Sequence, residues 1–585
     1  MTARGVGSQS YVEFISLAGT FQALKAQAGS DDLLSNTENF ATQITNVSTA
    51  VAVLLREANG GQPINSQALI DTLSPLLNGE QVLQLATAIK LLVDAADNYP
   101  MPSGQTSLQA LLANTTAREQ LVAEFYAQDS TTFNNTQNAI VSDATLTQPI
   151  TGATLPSTLT AALLTDDDVA TYADPDRVIS YTFNADGTGT ASAGQWHRNM
   201  TWSIAGASVE VTYEHAIVDM RGWELAICPE LSNYYAVAGY PIVYNVDGAK
   251  LTLLSKNLLT VTETRHITHR DCGPGPDTEI VTVARTILDA DDFQVLDIAE
   301  LRNSTRALWV YDSDYDVAVP NIVLIPDLAE LRADGTGTTL TYGKQFDWSL
   351  DSSGRILNVT FNDGVTATFR SIRDLDNVAT DVLYDFTLPT GRRVDAGASL
   401  RADPQVAFTT DNVLGRHYRF GIDEQPVAPG GKGSRYRFDA DGVGSREREN
   451  VEQDGSIRVE DSASYNRLGY RWNIEGNDLV LQYTTSTGFD FNCHPLEPLC
   501  QLFKDARMIP LAREGTRTYW FEAWRNGRTD VRQAFQRDNL IVYYEYEPFG
   551  TPATVTRKPA AGRTKSAPVR LDSHILRGAD HKLRN

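Results

Sequence analysis

The stretch YTFNADGTGT, residues 181–190, predicts a β-hairpin and sets the architecture of the chain. Asp-Gly between alternating apolar residues is a strong hairpin signal, because glycine accepts a positive φ without steric cost. The same turn returns as LRADGTGTT at residues 331–339 and as YRFDADGVGS at residues 436–445. Three copies of one hairpin indicate three related β units.

Each copy is followed by a tryptophan strand and a second glycine turn. The tryptophan stands 16, 14 and 31 residues after the aspartate of the turn in the three copies. We expect each unit to close into a barrel or sandwich, because a lone meander leaves its strand edges unpaired. The repeated residues are Asp186, Gly187, Trp202, Asp334, Gly335, Trp348, Asp441, Gly442 and Trp472.

The apolar spacing before Asp129 is helical, whereas alternation with period two prevails from about residue 166 to Phe549. The predicted fold is therefore multidomain, α plus all-β, with an N-terminal helical bundle followed by three related antiparallel β-barrel or sandwich-like domains. The predicted boundaries are a helical bundle at 1–129, a Thr/Asn-rich linker at 130–165, β domains at 166–300, 301–406 and 407–550, and a basic disordered tail at 551–585.

The net charge of the chain indicates which classes of partner it can bind. The 585 residues carry a formal net charge of −24, although the segment 557–585 holds eight Lys/Arg against two Asp. Such an acidic body repels phosphate backbones, so we expect no nucleic-acid partner. No apolar run in the sequence reaches the length of a membrane span. The sequence pattern does not indicate an oligomeric state.

Four cysteines fall in two local pairs, Cys228 with Cys272 and Cys493 with Cys500. Two disulfides fit an oxidising compartment, and unpaired buried thiols are the alternative. The first residues lack the apolar centre of a signal peptide. We expect an exported protein of the cell surface or periplasm whose export signal is not present in this chain.

The Asp-Gly hairpin followed by a Trp strand and a second hairpin resembles the pattern of lipocalin-like β-barrel domains, over roughly residues 166–550. The run TNVST at residues 45–49, with the helices around it, is similar to helical segments of large proteobacterial cell-surface proteins. The resemblance implies barrels and a surface location.

Aromatic residues mark the third β domain as the favoured contact site. Strand alternation places Tyr519 and Phe521 on one face and Trp520 and Trp524 on the other. One face must fill the core, and the second can stack a pair of indoles on a sugar or pack against a neighbouring domain. The candidate binding residues are Trp520, Trp524, Tyr544 and Tyr546.

An insertion between Ser445 and Tyr470 lengthens the third unit. Its mixed charge predicts an exposed hairpin extension, which is either a plain surface loop or a recognition loop. The arginines in it are Arg446, Arg448, Arg458 and Arg467.

Three carboxylates at alternate positions, Asp312, Asp314 and Asp316, are the best cation candidate. Val317 and Val323 stand where a calcium loop needs glycine and glutamate, so a solvated acidic loop is the alternative. We expect no other cofactor.

Short enzyme signatures are absent from the sequence: it holds no Gly-x-Ser-x-Gly elbow, zinc-protease helix or phosphate-binding loop. We therefore predict a non-catalytic structural or adhesive protein that binds a protein or glycan at the cell surface through its third β domain. One alternative is a carrier of small apolar ligands in lipocalin-like barrels. Another is a carbohydrate-active enzyme whose carboxylates are dispersed over loops.

Overall fold

The computed structural model describes the chain except for residues 18–20, 29–42, 153, 165–176, 195, 224–240, 270–277, 312–323, 375–378, 415, 421–431, 452–456, 460–466, 486–500, 515–516, 527–538 and 549–585. It is mostly β, with some helices. The described residues form two compact units, which divide after Phe293.

The first unit begins with a short hairpin of β1 (Thr2–Arg4) and β2 (Glu13–Ile15), followed by helices. Side-chain caps start the longer helices, because Thr45 and Asn78 accept hydrogen bonds from the free backbone N–H groups of α2 and α4. The helices are α1 (Phe21–Gln27), α2 (Asn46–Ala58), α3 (Gln67–Leu73), α4 (Gly79–Asp94), α5 (Leu108–Ala113), α6 (Thr115–Gln128) and α7 (Ser130–Ser142).

Helix α7 lies inside the segment that composition predicts to be a linker. The sequence STTFNNTQNAIVS is poor in strong helix formers, but Phe133 and Ile140 are fully buried in the hydrophobic cluster of the helices. Tertiary packing therefore overrides the weak helix propensity.

The helices do not close on a core of their own. Their hydrophobic cluster includes Leu254, Leu258 and Ala284, which belong to strands of the first barrel. The backbone N–H of Ala284 also donates to Glu80 Oε2 at 3.1 Å, and Thr286 Oγ1 donates to the Leu77 carbonyl. The predicted N-terminal bundle is therefore not confirmed as an independent domain.

The first β unit is a closed barrel in which each strand pairs antiparallel with the next. Its last strand returns to the first, with Thr286 opposite Ala162. The strands are β3 (Thr158–Ala162), β4 (Val178–Phe183), β5 (Thr188–Ser192), β6 (His197–Ala205), β7 (Ser208–Trp223), β8 (Pro241–Ser255), β9 (Leu258–His269) and β10 (Thr278–Ile287).

The second β unit, in the second compact unit, is an eight-stranded antiparallel sheet that curls until its ends meet. Arg306 and Arg401 form a single bridge, and the N–H of Ala402 donates to the Thr305 carbonyl at 2.8 Å. After the short helix α8 (Ile298–Leu301) come β11 (Ser304–Tyr311), β12 (Leu324–Leu331), β13 (Thr336–Thr339), β14 (Gln345–Leu350), β15 (Leu357–Phe361), β16 (Thr366–Asp374), β17 (Ala379–Leu388) and β18 (Gly391–Leu400).

The third β unit follows the short helix α9 (Thr410–Val413), and its pairings run around a ring of eight strands. Strand β19 pairs with both β20 and β27, β20 with β21, and β22 adds to β21 as an edge strand. The strands are β19 (Arg416–Phe420), β20 (Lys432–Phe438), β21 (Val443–Val451), β22 (Ile457–Val459), β23 (Arg467–Glu475), β24 (Asp478–Thr485), β25 (Gln501–Glu514), β26 (Arg517–Asn526) and β27 (Asn539–Pro548).

The first and third barrels each have a tight end and a loop end. In the third barrel, β20–β21, β23–β24 and β25–β26 are joined by two to four residues at the tight end. At the other end, the connections 421–431, 452–466, 486–500 and 527–538 are much longer. The Asp-Gly turns of these two units lie at their tight ends.

The three β units bury separate hydrophobic clusters among the described side chains, one for each interior. A further cluster joins the second and third sheets. Its members are Ala307, Leu328, Ala379, Ala398, Leu400, Leu511, Ala512, Tyr519 and Phe521. The second compact unit therefore holds two barrels that share a hydrophobic contact.

Candidate functional site

The repeated tryptophan contacts the Asp-Gly turn of its own unit in all three copies. In each case the indole N–H donates to the carbonyl of the residue that follows the turn glycine. The donors and acceptors are Trp202 to Thr188 at 2.8 Å, Trp348 to Thr336 at 3.0 Å, and Trp472 to Val443 at 2.9 Å. This shared hydrogen bond indicates that the tryptophan has a structural role in each unit.

The two glycines of the Asp-Gly-x-Gly motif serve different purposes. The first has φ of 83°, 87° and 69° in the three copies, a region that favours glycine. The second lies beneath the side chain that comes two residues before the tryptophan. A Cβ on Gly337 would be 2.2 Å from Phe346 Cε2, and one on Gly444 would be 2.3 Å from Tyr470 Cε2. The backbone conformation therefore explains the first glycine, and side-chain packing explains the second.

The turn aspartates act within their own turns. Asp186 Oδ1 accepts from the side chain and the backbone N–H of Thr188, at 2.6 and 3.0 Å, and these bonds lower the pKa of Asp186. Asp334 accepts the same pair of bonds from Thr336, which lowers its pKa too. These carboxylates hold a hairpin turn, as the sequence pattern predicts.

A buried carboxylate lies inside the third barrel. Glu522 on β26 is 1% exposed and accepts hydrogen bonds from the Tyr436 hydroxyl at 3.1 Å and from the Trp520 indole at 3.0 Å. Tyr436 stands on β20, three strands away around the ring, so its hydroxyl reaches Glu522 across the barrel. A buried carboxylate is tolerated when donors are directed at it, and two aromatic side chains supply them here.

Aromatic rings fill the interior around this carboxylate, as far as its side chains are described. Phe408 meets Trp520 edge-on at 5.6 Å, and Tyr470 meets Tyr483 at 5.4 Å. Trp520 is fully buried, so it cannot contribute to an exposed stacking surface. If Trp520 binds a ligand as predicted, the ligand must enter the barrel to reach it.

The other three predicted aromatic residues are placed by strand register, and their side chains lie outside the described part of the structure. Tyr544 pairs with Thr518, and Trp524 pairs with Ala506. Strand alternation puts these positions and Tyr546 on the sheet face of Trp520. Trp524 is nevertheless six residues, about 20 Å, along β26 from the partner of Tyr544. The four positions are therefore spread along the strands and do not lie side by side in the sheet.

The opposite face of β26 is also covered. Tyr519 and Phe521 are fully buried in the hydrophobic cluster shared with the second sheet, against residues such as Leu328 and Leu400. The sequence shows large apolar residues at consecutive positions 519–521, which is typical of a strand buried on both sides.

Sequence reasoning missed the buried carboxylates, because a single Asp or Glu in a strand pattern carries no signal of burial. Asp327 in the second unit is fully buried and accepts from the backbone N–H groups of Leu328, Thr341 and Tyr342 at 2.8–3.1 Å. Burial raises the pKa of Asp327, although these bonds oppose the shift. Asp327 fixes the turn after β13.

The remaining site predictions fall outside the described residues. They are Asp312, Asp314 and Asp316 for calcium, and Cys228, Cys272, Cys493 and Cys500 for disulfides. Among the side chains that are described, no three His, Cys, Asp or Glu are placed to hold a metal ion together. No helix within the described ranges is long and apolar enough to cross a membrane.

Comparisons with known proteins give no family. No family model matches the chain, and no curated protein matches it. Among solved structures, kievitone hydratase from Nectria haematococca aligns over 52% of this chain and 83% of its own, at 8% identity and a TM-score of 0.09. A TM-score this low supports no statement about fold or function.

Proposed function

We propose that this chain is a non-catalytic structural or adhesive protein of the bacterial surface or periplasm, which binds a partner or glycan through its third β unit. The single observation that carries the proposal is the packing of the third barrel. Its tight end is filled by its own aromatic side chains, including Tyr470 and Trp520, which are fully buried. An interior that is packed at one end gives a rigid support for binding at the opposite rim.

The loop end is the place where we propose that the partner binds. One flank of the barrel is covered, because Tyr519 and Phe521 pack against the second sheet. The long connections all leave from one end, and loops on a rigid scaffold are the usual carriers of recognition. Trp524 lies four residues beyond Trp520 toward that end, about 13 Å along the strand.

We also propose that the three β units descend from one Trp-anchored, lipocalin-like ancestor. The support is the same indole-to-turn hydrogen bond in each unit, combined with the same glycine beneath the residue two positions earlier. Unrelated barrels have no physical need to share both contacts.

A glycan array tests the binding proposal with the full chain. We expect selective binding to a defined set of glycans, and a loss of about tenfold or more for Trp524→Ala, because an aromatic anchor at a binding site contributes 2 kcal/mol or more. Tyr126→Ala is the matched control, since Tyr126 is an exposed aromatic residue on α6 in the first unit. Equal binding by Trp524→Ala and the unsubstituted protein would remove the third unit from the proposal.

A further inference from the structure

The outer surface of the second barrel differs from one side to the other. On β14 and β15, the outward-facing partners Asp347 and Thr360 are polar and exposed. On β17 and β18, the outward-facing partners Ala379 and Leu400 are buried, and so is Ala398. These two strands are therefore buried on both faces, which requires a second element to cover the outer face.

The third barrel provides that cover through β26. Tyr519 and Phe521 are fully buried on the face of β26 opposite to Trp520, whose side chain lies in the interior of the third barrel. The two rings belong to one hydrophobic cluster with Leu400 and three alanines of the second barrel. Large side chains of one barrel thus pack against small side chains of the other, in a contact to which six strands contribute.

The chain that connects the two barrels is hydrogen-bonded to both of them at adjacent residues. The backbone N–H of Ala402 donates to the Thr305 carbonyl of the second barrel at 2.8 Å. The backbone N–H of the next residue, Asp403, donates to the Leu511 carbonyl of the third barrel at 2.7 Å. A flexible linker leaves such groups to water, so this connection is not a loose tether.

The same connection also fills the tight end of the third barrel. The backbone N–H of Phe408 donates at 3.0 Å to the carbonyl of Asn477, which lies in the turn between β23 and β24. The ring of Phe408 is fully buried, with its centroid 5.6 Å from that of Trp520. Strand β26 is therefore held on one face by the connection and on the other face by the second barrel.

We infer that the second and third barrels form one rigid, cooperatively folded pair, joined by the cluster around Tyr519 and Phe521 and by the paired hydrogen bonds of Ala402 and Asp403. Domains of one chain usually move relative to each other unless their contact is large and hydrophobic, and here it is hydrophobic and spans six strands. The pair holds the third barrel in a fixed orientation on the second. This coupling does not depend on what the third barrel binds.

Hydrogen exchange of the full chain, followed by mass spectrometry, tests the coupling with a substitution inside the third barrel. A Cβ on Gly444 would collide with the ring of Tyr470 and with the Arg437 carbonyl oxygen. In Gly444→Ala, the slowest amides of β26 should exchange about tenfold faster, because overpacking lowers the free energy of unfolding. The slowest amides of β17, in the second barrel, should accelerate by the same factor. An unchanged rate in β17 would overturn the inference.

The matched control is Gly189→Ala, the same substitution at the equivalent glycine of the first barrel. Its added Cβ would collide with the Thr182 carbonyl oxygen and with Met200, and Gly189 belongs to the other compact unit. This variant should leave the exchange rates of β17 and β26 unchanged. Equal acceleration of β17 by both glycine variants would reduce the effect to a general loss of stability and overturn the inference.

Removal of the two rings tests whether the hydrophobic cluster carries the coupling. In a Tyr519→Ala and Phe521→Ala background, Gly444→Ala should accelerate β26 and leave β17 unchanged, because the contact between the barrels is lost. A response of β17 that persists in this background would contradict the assigned cluster.

The unsubstituted protein gives the same decision if the Gly444→Ala variant does not fold. Exchange measured at increasing guanidinium concentration reports the free energy at which each segment opens and its dependence on denaturant. The slowest amides of β17 and β26 should give one common free energy and one common slope. Two distinct values would show that the barrels unfold separately and would overturn the inference.

Discussion

The indole Nε1 of Trp348 lies 3.0 Å from the carbonyl oxygen of Thr336, and the backbone N–H of Trp348 lies 2.7 Å from the carbonyl oxygen of Gly335. One residue thus satisfies two consecutive carbonyls of a turn that precedes it by more than ten positions. The first unit repeats both bonds, from Trp202 to Thr188 and Gly187. This double contact fixes the Asp-Gly hairpin to the next strand.

Replacement of Trp348 by phenylalanine should lower the free energy of unfolding by more than the loss of ring area alone explains. The Trp348→Phe variant keeps an aromatic ring but leaves the Thr336 carbonyl without its indole donor, a loss of about 1 kcal/mol beyond the packing change. Denaturant unfolding of the full chain, followed by tryptophan fluorescence, measures the difference.

Trp309→Phe is the control for that measurement. Trp309 is also buried in the second unit, but its Nε1 has no hydrogen-bond partner among the described residues. Removing a buried donor that makes no bond should cost less than removing the bonded one in Trp348. Equal destabilisation by the two variants would contradict the importance of the turn contact.

Gly337→Ala should destabilise the second unit by about 1–3 kcal/mol, as overpacking does in well-packed interiors. The added Cβ would lie 2.2 Å from Phe346 Cε2 and 2.7 Å from the Glu330 carbonyl oxygen. Gly152→Ala is a suitable control, because no atom lies within 4 Å of its added Cβ. Equal melting temperatures for the Gly337→Ala and Gly152→Ala variants would refute the packing role of Gly337.

Asp351 should make stability depend on acid pH. The Ser353 hydroxyl and the backbone N–H of Ile356 donate to its carboxylate, and they lower the pKa of Asp351 to about 2. Because the pKa of Asp351 in the folded protein lies below the ordinary aspartate value of 3.8, this stabilisation is complete above pH 4 and is lost as pH falls toward 2. Asp351→Asn should therefore be less stable at pH 7, with a deficit that shrinks below pH 4. A deficit independent of pH in urea titrations would contradict the assignment.

The buried network of the third barrel should behave as a coupled unit. Tyr436→Phe removes a hydrogen-bond donor to Glu522 and should cost about 1.5–3 kcal/mol, the range for hydrogen bonds to charged groups. Glu522→Gln should cost stability as well, because an amide cannot accept both bonds through two oxygens. The double variant should lose less than the sum of the two single losses. Additive losses would show that Tyr436 and Glu522 act independently.

The hairpins and the order of elements could be predicted because their causes are local. A glycine that needs positive φ, and an aspartate that bonds two residues ahead, act within four positions of the sequence. The contact between Trp472 and Val443 is different, because 28 residues separate the two positions. The order of residues predicts that a tryptophan strand follows each turn. It does not predict that the indole N–H donates a hydrogen bond to a carbonyl of that turn.

The burial of each face of β26 could not be predicted from alternation. Alternation separates Trp520 from Phe521, yet both are large and apolar, and both are fully buried. The choice between core and surface depends on the second sheet, which covers Phe521 through residues more than a hundred positions away. Glu522 is a similar case, since its donor Tyr436 is 86 residues distant.

The third copy of the repeat has a consequence for how such chains diversify. Its tryptophan stands 31 positions after the turn aspartate, where that of the second copy stands 14 positions after, and the indole still reaches its carbonyl at 2.9 Å. The segment that leaves β21 and returns in β23 can therefore lengthen without loosening the barrel. Evolution and protein engineering alike can graft new sequence at this position, while the closure beneath it stays fixed.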